Sequence, residues 1–259
     1  MLLAGKVGIV SGIGPGMGRD IALAFAREGA DVVLAARTAA ALESLAAEIR
    51  ALGRRAVAVP TDIARAGDAP ALAKAALDAF GRIDVLVNNA FRGGKYVPVE
   101  SASLDDWRAT FEVNLFGSIA LSQAVIPAMK RQRSGSIIMI NSMSLRIIEP
   151  LFGGYAASKG ALMTAMQTMA KELGPHGIRV NAVVPGYIWG PNLEGYFRTL
   201  AQQQGTTPEA VYDEIAGRTS LKHIPTSAEI ADAVVFFASD LSRACTGQAL
   251  DVNGGHFFH

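Results

Sequence analysis

Short runs of apolar, largely β-branched residues alternate along the chain with longer, alanine-rich stretches. The short runs are apolar at almost every position, which is typical of parallel strands that are covered by helices on both faces. They therefore predict buried strands rather than strands with one face in water. The predicted strands are Lys6–Val10, Asp31–Ala35, Arg55–Val59, Ile83–Asn88, Ser136–Asn141, Arg179–Val183 and Ala249–Val252.

The longer stretches repeat their apolar residues at helical spacing. In one of them Leu42, Leu45 and Ile49 recur at intervals of three and four residues, and Gly53 supplies a stop signal. The predicted helices are Met17–Glu28, Ala39–Leu52, Asp68–Phe80, Leu104–Lys130, Gly154–Leu173 and Ala228–Ser239.

The order of these elements predicts the fold. Strands that alternate with helices form a doubly wound, Rossmann-type parallel sheet, and such sheets bind ligands at the carboxyl ends of their strands. We therefore expect residues 1–259 to form one α/β domain around a seven-stranded sheet with helices on both faces. The stretch Tyr187–Leu221 breaks the alternation and is interrupted by glycines and prolines. It predicts a small, mobile substrate-binding lobe of short helices over the strand ends.

Composition narrows the classes of function. Hydrophobic residues make up 50% of the chain and charged residues 18%, which suits one large core. The 24 basic and 23 acidic side chains nearly cancel, so neither nucleic acid nor an anionic membrane is expected as a partner. Cys245 is the only cysteine and the four histidines are scattered, so we expect no disulfide and no metal site. The apolar start Met1–Val10 is too short for a signal peptide or membrane span, which leaves a cytoplasmic protein as the expectation.

A glycine-rich turn follows the first predicted strand. Residues Ser11–Gly18 read Ser-Gly-Ile-Gly-Pro-Gly-Met-Gly and lie between that strand and a predicted helix. Glycines let a backbone turn tightly and approach a pyrophosphate, while the helix N-terminus supplies free N–H groups and a positive dipole. The turn therefore predicts a dinucleotide site, with a tight turn that binds no ligand as the alternative.

The end of the second predicted strand bears on the choice of cofactor. NAD-binding proteins usually carry an acidic residue here, which accepts hydrogen bonds from the adenosine ribose. In this chain Ala36 is followed by Arg37, whose guanidinium can pair with a 2′-phosphate. The pattern favours NADP(H) over NAD(H), which stays possible, and a solvated arginine is the structural alternative.

Several motifs, taken in order, resemble those of the short-chain dehydrogenase/reductase family. The turn matches the family's Gly-x3-Gly-x-Gly motif, Asn88-Asn89-Ala90 matches the motif after strand four, and Pro185-Gly186 matches the motif after strand six. The resemblance covers essentially the whole chain. It implies cofactor contacts from Ser11, Gly12, Gly16, Met17, Gly18, Arg37, Asp62, Ile63, Asn89, Ala90, Tyr155, Lys159, Pro185, Gly186 and Ile188.

Tyr155 and Lys159 lie four positions apart in a predicted helix, and this spacing places both on one helical face. A nearby ammonium favours the phenolate, so we expect Lys159 to lower the pKa of Tyr155. The resemblance implies that Tyr155 is the catalytic acid and base and that Lys159 also holds the nicotinamide ribose. Enoyl reductases of the same family separate the two residues more widely, so the spacing favours C=O over C=C chemistry.

Two further residues complete the catalytic set that the resemblance implies. Ser142 ends the fifth predicted strand, where its hydroxyl can bond a substrate oxygen as charge develops there. Asn114 lies among apolar residues of the predicted fourth helix and needs a polar partner. In the family such an asparagine holds a water in a proton path to the lysine.

The sequence departs from the family pattern at two positions near the expected nicotinamide site. Phe91 stands where the family has a glycine, and Gly190 stands about where it often has a threonine that anchors the nicotinamide. Apolar and aromatic residues near the predicted site suggest a hydrophobic ketone or alcohol, cyclic or steroid-like. The candidate substrate contacts are Phe91, Ser144, Tyr187, Trp189 and Tyr196.

The resulting hypothesis is an oxidoreductase that transfers hydride between NADP(H) and a secondary alcohol or ketone. Two alternatives stay open: a 3-oxoacyl thioester reductase, and a non-catalytic NADP(H)-binding sensor or scaffold. An intact Tyr155 and Lys159 argue against the scaffold. The family is usually tetrameric, so we expect a homotetramer, with a dimer as the alternative.

Overall fold

The computed structural model of this chain describes residues 1–258. Seven strands form one sheet in the order β3-β2-β1-β4-β5-β6-β7, and every neighbouring pair is parallel. The order reverses direction between β1 and β4, which is the switch point at which such sheets bind ligands. The strands are β1 Val7–Ser11, β2 Asp31–Ala36, β3 Ala56–Pro60, β4 Val85–Asn88, β5 Gly135–Ile140, β6 Ile178–Pro185 and β7 Ala249–Val252.

Helices cover both faces of the sheet, as the sequence predicts. One buried cluster packs α1, α2 and α9 on one face, and a second packs α3, α5 and α6 on the other. The helices are α1 Met17–Arg27, α2 Ala39–Ala51, α3 Asp68–Phe80, α4 Leu104–Phe111, α5 Ser118–Gln132, α6 Gly153–Leu173, α7 Pro191–Gln204, α8 Pro208–Gly217 and α9 Ser227–Ala238.

The strands are apolar at nearly every position because helices cover both faces of the sheet. Along β2, Val32 and Leu34 belong to the first cluster, whereas Val33 belongs to the second. Successive side chains of a strand point to opposite faces, so both faces need apolar residues when both are covered. The prediction of a doubly wound parallel sheet is confirmed.

The predicted helix Leu104–Lys130 is not a regular α-helix. A π-helical segment, Glu112–Gly117, separates α4 from α5. Gly117 lies against Ile63 here, because a Cβ at Gly117 would come within 2.9 Å of the Ile63 side chain and carbonyl. Apolar periodicity does not distinguish i→i+4 from i→i+5 hydrogen bonding over a single turn, and π segments often mark functional sites. Asn114 lies in this segment.

The helical run Leu104–Gln132 is long and apolar enough to cross a membrane by length and composition alone. Its buried residues Leu121, Val125 and Met129 pack in the cluster that covers one face of the sheet. This is the position of a core helix, and it accounts for the apolar composition.

The lobe that the sequence predicts at Tyr187–Leu221 consists of α7 and α8 around a small core of their own. Its prolines and most of its glycines lie at helix ends, whereas Gly195 lies within α7 without interrupting it. Pro191 and Pro208 occupy the first helical positions, where a missing N–H costs nothing, and Gly205 ends α7 in a left-handed conformation with φ 65°. The helices are therefore longer than the sequence predicts, with 14 residues in α7.

Candidate active site

The glycine-rich turn after β1 is closed by contacts that only glycine permits. A Cβ at Gly12 would lie 2.4 Å from the backbone nitrogen of Ala90, and one at Gly18 would lie 2.3 Å from the carbonyl oxygen of Gly12. The side-chain amide of Asn89 donates to that same carbonyl oxygen at 2.8 Å. Gly12, Gly18 and Asn89 therefore join the ends of β1 and β4 and the start of α1.

The opposite side of this turn is open. A Cβ at Gly14 or Gly16 would meet no atom within 4 Å, and Gly16, the N-cap residue of α1, provides no side-chain cap. The Oγ of Ser11 is buried and has no hydrogen-bond partner in residues 1–258. Free helix N–H groups, an open glycine backbone and an unused hydroxyl fit a diphosphate. Met17 is the first residue of α1 and packs against the buried cluster formed by α1, α2 and α9.

Residues at the ends of β2 and β3 lie where an adenosine would extend from this turn. Arg37 follows β2 and is exposed, and within residues 1–258 its guanidinium makes no ion pair. Asp62 is half-buried after β3, and its carboxylate accepts a hydrogen bond from the backbone of Ala64 at 3.1 Å. Ile63 packs against Gly117. The three predicted adenosine contacts thus adjoin one edge of the sheet.

The predicted catalytic side chains meet at the carboxyl end of β5. Ser142 follows that strand, and its hydroxyl lies close enough to the phenol of Tyr155 on α6 to lower the pKa of that phenol. Lys159 lies one turn farther along α6, with its Nζ 5.7 Å from the centre of the Tyr155 ring. That Nζ is buried and donates to the carbonyl oxygen of Ile140 at 2.8 Å. The structure thus brings together the three residues.

Burial shifts the pKa of both members of this pair, and the predicted decrease in the pKa of Tyr155 is wrong. Burial raises the pKa of Tyr155 to about 12, although the Ser142 hydrogen bond lowers it. Burial also lowers the pKa of Lys159 to about 7. The expected decrease in the pKa of Tyr155 required a fully charged lysine close to the phenol oxygen. Desolvation disfavours that charge, and the Nζ bonds Ile140 instead.

Asn114 is fully buried in the π-helical segment, and its side chain binds a neighbouring loop. Its Oδ1 accepts from the backbone N–H of Arg92 at 2.7 Å, and its Nδ2 donates to the Arg92 carbonyl oxygen at 3.0 Å. The same Nδ2 donates to Ser158 at 2.9 Å. Asn114 therefore has the polar partners that a buried asparagine needs, while its role in a water path to Lys159 stays a prediction.

Two positioning residues, Ser158 and Asn141, are not among those that the sequence predicts. The hydroxyl of Ser158 donates to the Tyr155 carbonyl oxygen at 2.7 Å and accepts from Asn114, so it links α6 to the π-helical segment. Asn141 donates to the Lys159 carbonyl oxygen at 3.2 Å and accepts from the backbone of Ser142 at 3.0 Å. Each adjoins a predicted catalytic residue in sequence, which is the signal that was available.

The remaining predicted cofactor contacts lie at the end of β6. Pro185 is its last residue, and Gly186 is close-packed, since a Cβ there would lie 2.8 Å from the Cβ of Asn253. Ile188 is half-buried and packs against the core that contains α1. These positions lie at the carboxyl end of β6, the same edge of the parallel sheet at which the glycine-rich turn follows β1.

The candidate substrate residues divide into two groups. Phe91 lies beside Tyr155, with ring centres 6.4 Å apart, and Ser144 follows Ser142, donating its N–H to the Ser142 Oγ at 3.2 Å. Tyr187 packs near His256, with ring centres 5.9 Å apart. Trp189 packs in the lobe core against Phe197 and Tyr212, and its contact with substrate stays a prediction. Tyr196 is half-exposed on α7 and packs beside Phe197, 6.1 Å between ring centres.

Comparisons with known proteins agree with this geometry. A family model described as enoyl-(acyl carrier protein) reductase matches residues 12–256. The chain is 35% identical over 253 residues to the 7α-hydroxysteroid dehydrogenase of Escherichia coli K12, covering 98% of this chain and 94% of that protein. It is 34% identical over 257 residues to the 3-oxoacyl-[acyl-carrier-protein] reductase of Thermotoga maritima, covering 98% and 99%.

Solved structures give the same result. An NAD⁺-bound xylitol dehydrogenase superposes with a TM-score of 0.91 at 30% identity, covering 98% of this chain and all 100% of that one. A 7α-hydroxysteroid dehydrogenase complexed with NADH and 7-oxoglycochenodeoxycholic acid superposes with a TM-score of 0.87 at 35% identity, covering 98% and 94%. The chain therefore belongs to the short-chain dehydrogenase/reductase family and is an NAD(P)-dependent oxidoreductase that acts on alcohol and keto groups.

Proposed function

We propose that this chain reduces a hydrophobic, ring-bearing ketone with NADP(H) and oxidises the corresponding secondary alcohol in reverse. One observation carries the proposal: the hydroxyls of Ser142 and Tyr155 meet at the carboxyl ends of the strands, beside a turn that is open to a diphosphate. Two donors that converge in this way can hold a single carbonyl oxygen and stabilise the charge that develops on it.

The residues divide the work of the reaction. A bound reduced nicotinamide supplies hydride to the carbonyl carbon. Ser142 and Tyr155 hold the carbonyl oxygen, and Tyr155 donates its proton there. Because burial raises the pKa of Tyr155 to about 12, the phenol keeps its proton at neutral pH, as a general acid must. The same pKa makes the phenolate scarce, so alcohol oxidation should become faster as the pH rises.

Lys159 and Asn114 have supporting roles in this proposal. The buried Nζ of Lys159 has three donors, of which one reaches Ile140, so others remain to hold a ribose hydroxyl. Asn114 fixes the Arg92 loop and, through Ser158, the helix turn that carries Tyr155. We include Asn114 in the site as the residue that sets the geometry of the proton donor.

Arg37 supports NADP(H) as the preferred cofactor. It is an exposed guanidinium at the end of β2, and no acidic residue stands at Ala36 to accept ribose hydrogen bonds. A 2′-phosphate would give it a charge-assisted partner. NAD(H) is the second candidate because structural relatives with NAD⁺ and NADH bound share this fold.

The aromatic residues around Tyr155 support a ring-bearing, apolar substrate, of which a steroid-like ketone is one class. A 3-oxoacyl thioester is the second candidate, favoured by the relative from Thermotoga maritima. The four-residue spacing of Tyr155 and Lys159 supports C=O rather than C=C reduction, whatever the description of the matching family model.

The experiment that tests the proposal is turnover of NADPH and NADH with a panel of carbonyl compounds. The panel contains aryl ketones, steroid ketones, a 3-oxoacyl thioester and an enoyl thioester. We expect ketone-dependent NADPH oxidation, with little reduction of the enoyl thioester. Tight NADPH binding without turnover of any panel member would favour the non-catalytic sensor instead.

We also propose that the chain assembles as a homotetramer. Phe116, in the π-helical segment, is 52% exposed although it is a large apolar residue. Ala120 and Ala124 of α5 follow it at four-residue intervals and are half-buried, so the three apolar residues share one helical face and form a strip. A strip of this kind can bury against its copy across a two-fold axis.

A further inference from the structure

Phe91 places a large aromatic ring beside the candidate proton donor. Its ring centre lies 6.4 Å from that of Tyr155, and the two ring planes are inclined by 69°. Phe91 is 63% exposed, so most of the ring is not covered by the chain itself. Single exposed apolar residues are common on protein surfaces, and exposure alone carries no conclusion.

The backbone that carries this ring is fixed. The next residue, Arg92, exchanges two hydrogen bonds with the side-chain amide of Asn114, through its N–H and its carbonyl oxygen. Its guanidinium pairs with Asp106, whose carboxylate also accepts from the backbone N–H of Lys95 at 2.8 Å. The contacts hold Phe91 in one place relative to Tyr155.

A second pair of rings, Tyr96 and Phe152, lies near Tyr155. Tyr96, five residues after Phe91, packs against Phe152 with ring centres 4.6 Å apart. Phe152 directly precedes α6, the helix of Tyr155, and Tyr96 is close enough to contribute to the raised pKa of that phenol. Tyr96 is 57% exposed. Tyr155 thus has aromatic neighbours on two segments of the chain, and Phe91 and Tyr96 among them are exposed.

We infer that Phe91 is a specificity-determining residue that selects carbonyl compounds with a planar, unsaturated ring next to the carbonyl group. The inference rests on the proposed function and narrows its substrate class. A planar ring can stack on Phe91 while its carbonyl oxygen reaches Ser142 and Tyr155. A saturated ring of the same size buries similar area but lacks the aromatic contact, which is worth about 0.5–1.5 kcal/mol, or about 2- to 12-fold in affinity.

Paired ligands test this directly. The dissociation constants of acetophenone and cyclohexyl methyl ketone are measured by competition NMR on the chain saturated with NADP⁺. The proteins are wild type, Phe91→Leu, Phe91→Tyr and Phe258→Leu, the last a matched change at another exposed phenylalanine. We expect wild type to prefer the aryl ketone. Phe91→Leu should reduce the preference about 2- to 12-fold, Phe91→Tyr should retain it, and Phe258→Leu should leave it unchanged.

Each outcome decides one claim. An equal preference in wild type and Phe91→Leu, no preference in wild type, or no binding of either ketone would overturn the inference. Melting temperatures and NADPH dissociation constants of the variants exclude misfolding as a cause. If the preference depends on Phe91 but no ketone in the panel is reduced, the proposed function fails and the role of Phe91 in binding stands.

Discussion

Burial acts on Tyr155 and Lys159 in the same direction, because it favours the neutral form of each. The phenol is therefore suited to donate a proton at neutral pH. Burial of the Lys159 ammonium lowers the free energy of unfolding, so this lysine is kept at the expense of stability. A lysine that is costly to bury and has one backbone partner is best explained by a ligand that it holds.

Replacement of Lys159 by methionine tests how much the buried lysine lowers the stability of the folded chain. The pKa of Lys159 is lowered from 10.5 to about 7 by burial. Between these two pH values the unfolded chain binds a proton that the folded chain does not, so wild-type stability should rise with pH. Lys159→Met removes that dependence. We expect it to be more stable than wild type by a few kcal/mol at pH 7 and below, with the gain shrinking as the pH approaches 10.5.

Urea unfolding of the cofactor-free proteins across this pH range measures the effect. Lys171→Met, an exposed lysine of the same helix, is the control and should leave the pH dependence as in wild type. The cofactor dissociation constant of Lys159→Met should rise, because a ribose ligand is lost. A constant stability difference at all pH values would mean that Lys159 is charged in the folded chain.

Arg37 gives a second residue-scale prediction. Arg37→Ala should weaken NADPH binding about 10- to 100-fold through loss of a charged hydrogen bond, and Arg37→Asp should weaken it further by repulsion. NADH affinity should change little in either variant, which makes it the internal control. Fluorescence titration of both cofactors measures these constants. A wild type that binds NADH much more tightly than NADPH would show that the assignment of Arg37 is wrong.

At the scale of elements, the strands and the position of the site at their carboxyl ends could be predicted from the sequence. The π-helical segment and the hydrogen bonds that hold the site in place could not. The short runs that are apolar at almost every position predicted β1 to β7, because parallel strands covered on both faces need apolar residues on both. The π-helical segment left none, since its apolar spacing is that of an α-helix. The contacts of Asn114 with Arg92 and Ser158 join residues far apart in sequence, which no local pattern encodes.

The lobe of α7 and α8 is predicted to be the least stable part of the described chain. Its core is separate from the two clusters that enclose the sheet, and bonds from Ser220 and Leu221 to Gly255 and Gly254 tie its end to the C-terminal segment. Without ligands its amides should exchange with solvent faster than those of β4 and β5, and cofactor with substrate should slow them. Hydrogen-exchange mass spectrometry measures both. Equal protection of lobe and strands in the free protein would contradict the expectation.

At the scale of the whole molecule, the exposed apolar strip beside the π-helical segment predicts self-association. Phe116→Glu should reduce the tetramer to a smaller species by placing a charge in the interface. Light scattering coupled to size exclusion gives the mass of wild type and variant. A monomeric wild type would contradict the proposed tetramer. A Phe116→Glu variant that stays tetrameric would show that Phe116 does not lie in the interface.

The central claim is that Tyr155 donates the proton during hydride transfer to a carbonyl. The most direct measurement is the single-turnover rate of NADPH oxidation with the best ketone of the panel, in wild type and Tyr155→Phe. We predict a loss of about 10²- to 10⁴-fold, with an unchanged melting temperature and NADPH dissociation constant. Tyr212→Phe, which deletes the same hydroxyl from the lobe core, should react as wild type does. A Tyr155→Phe variant that reduces the ketone at close to the wild-type rate would contradict the account.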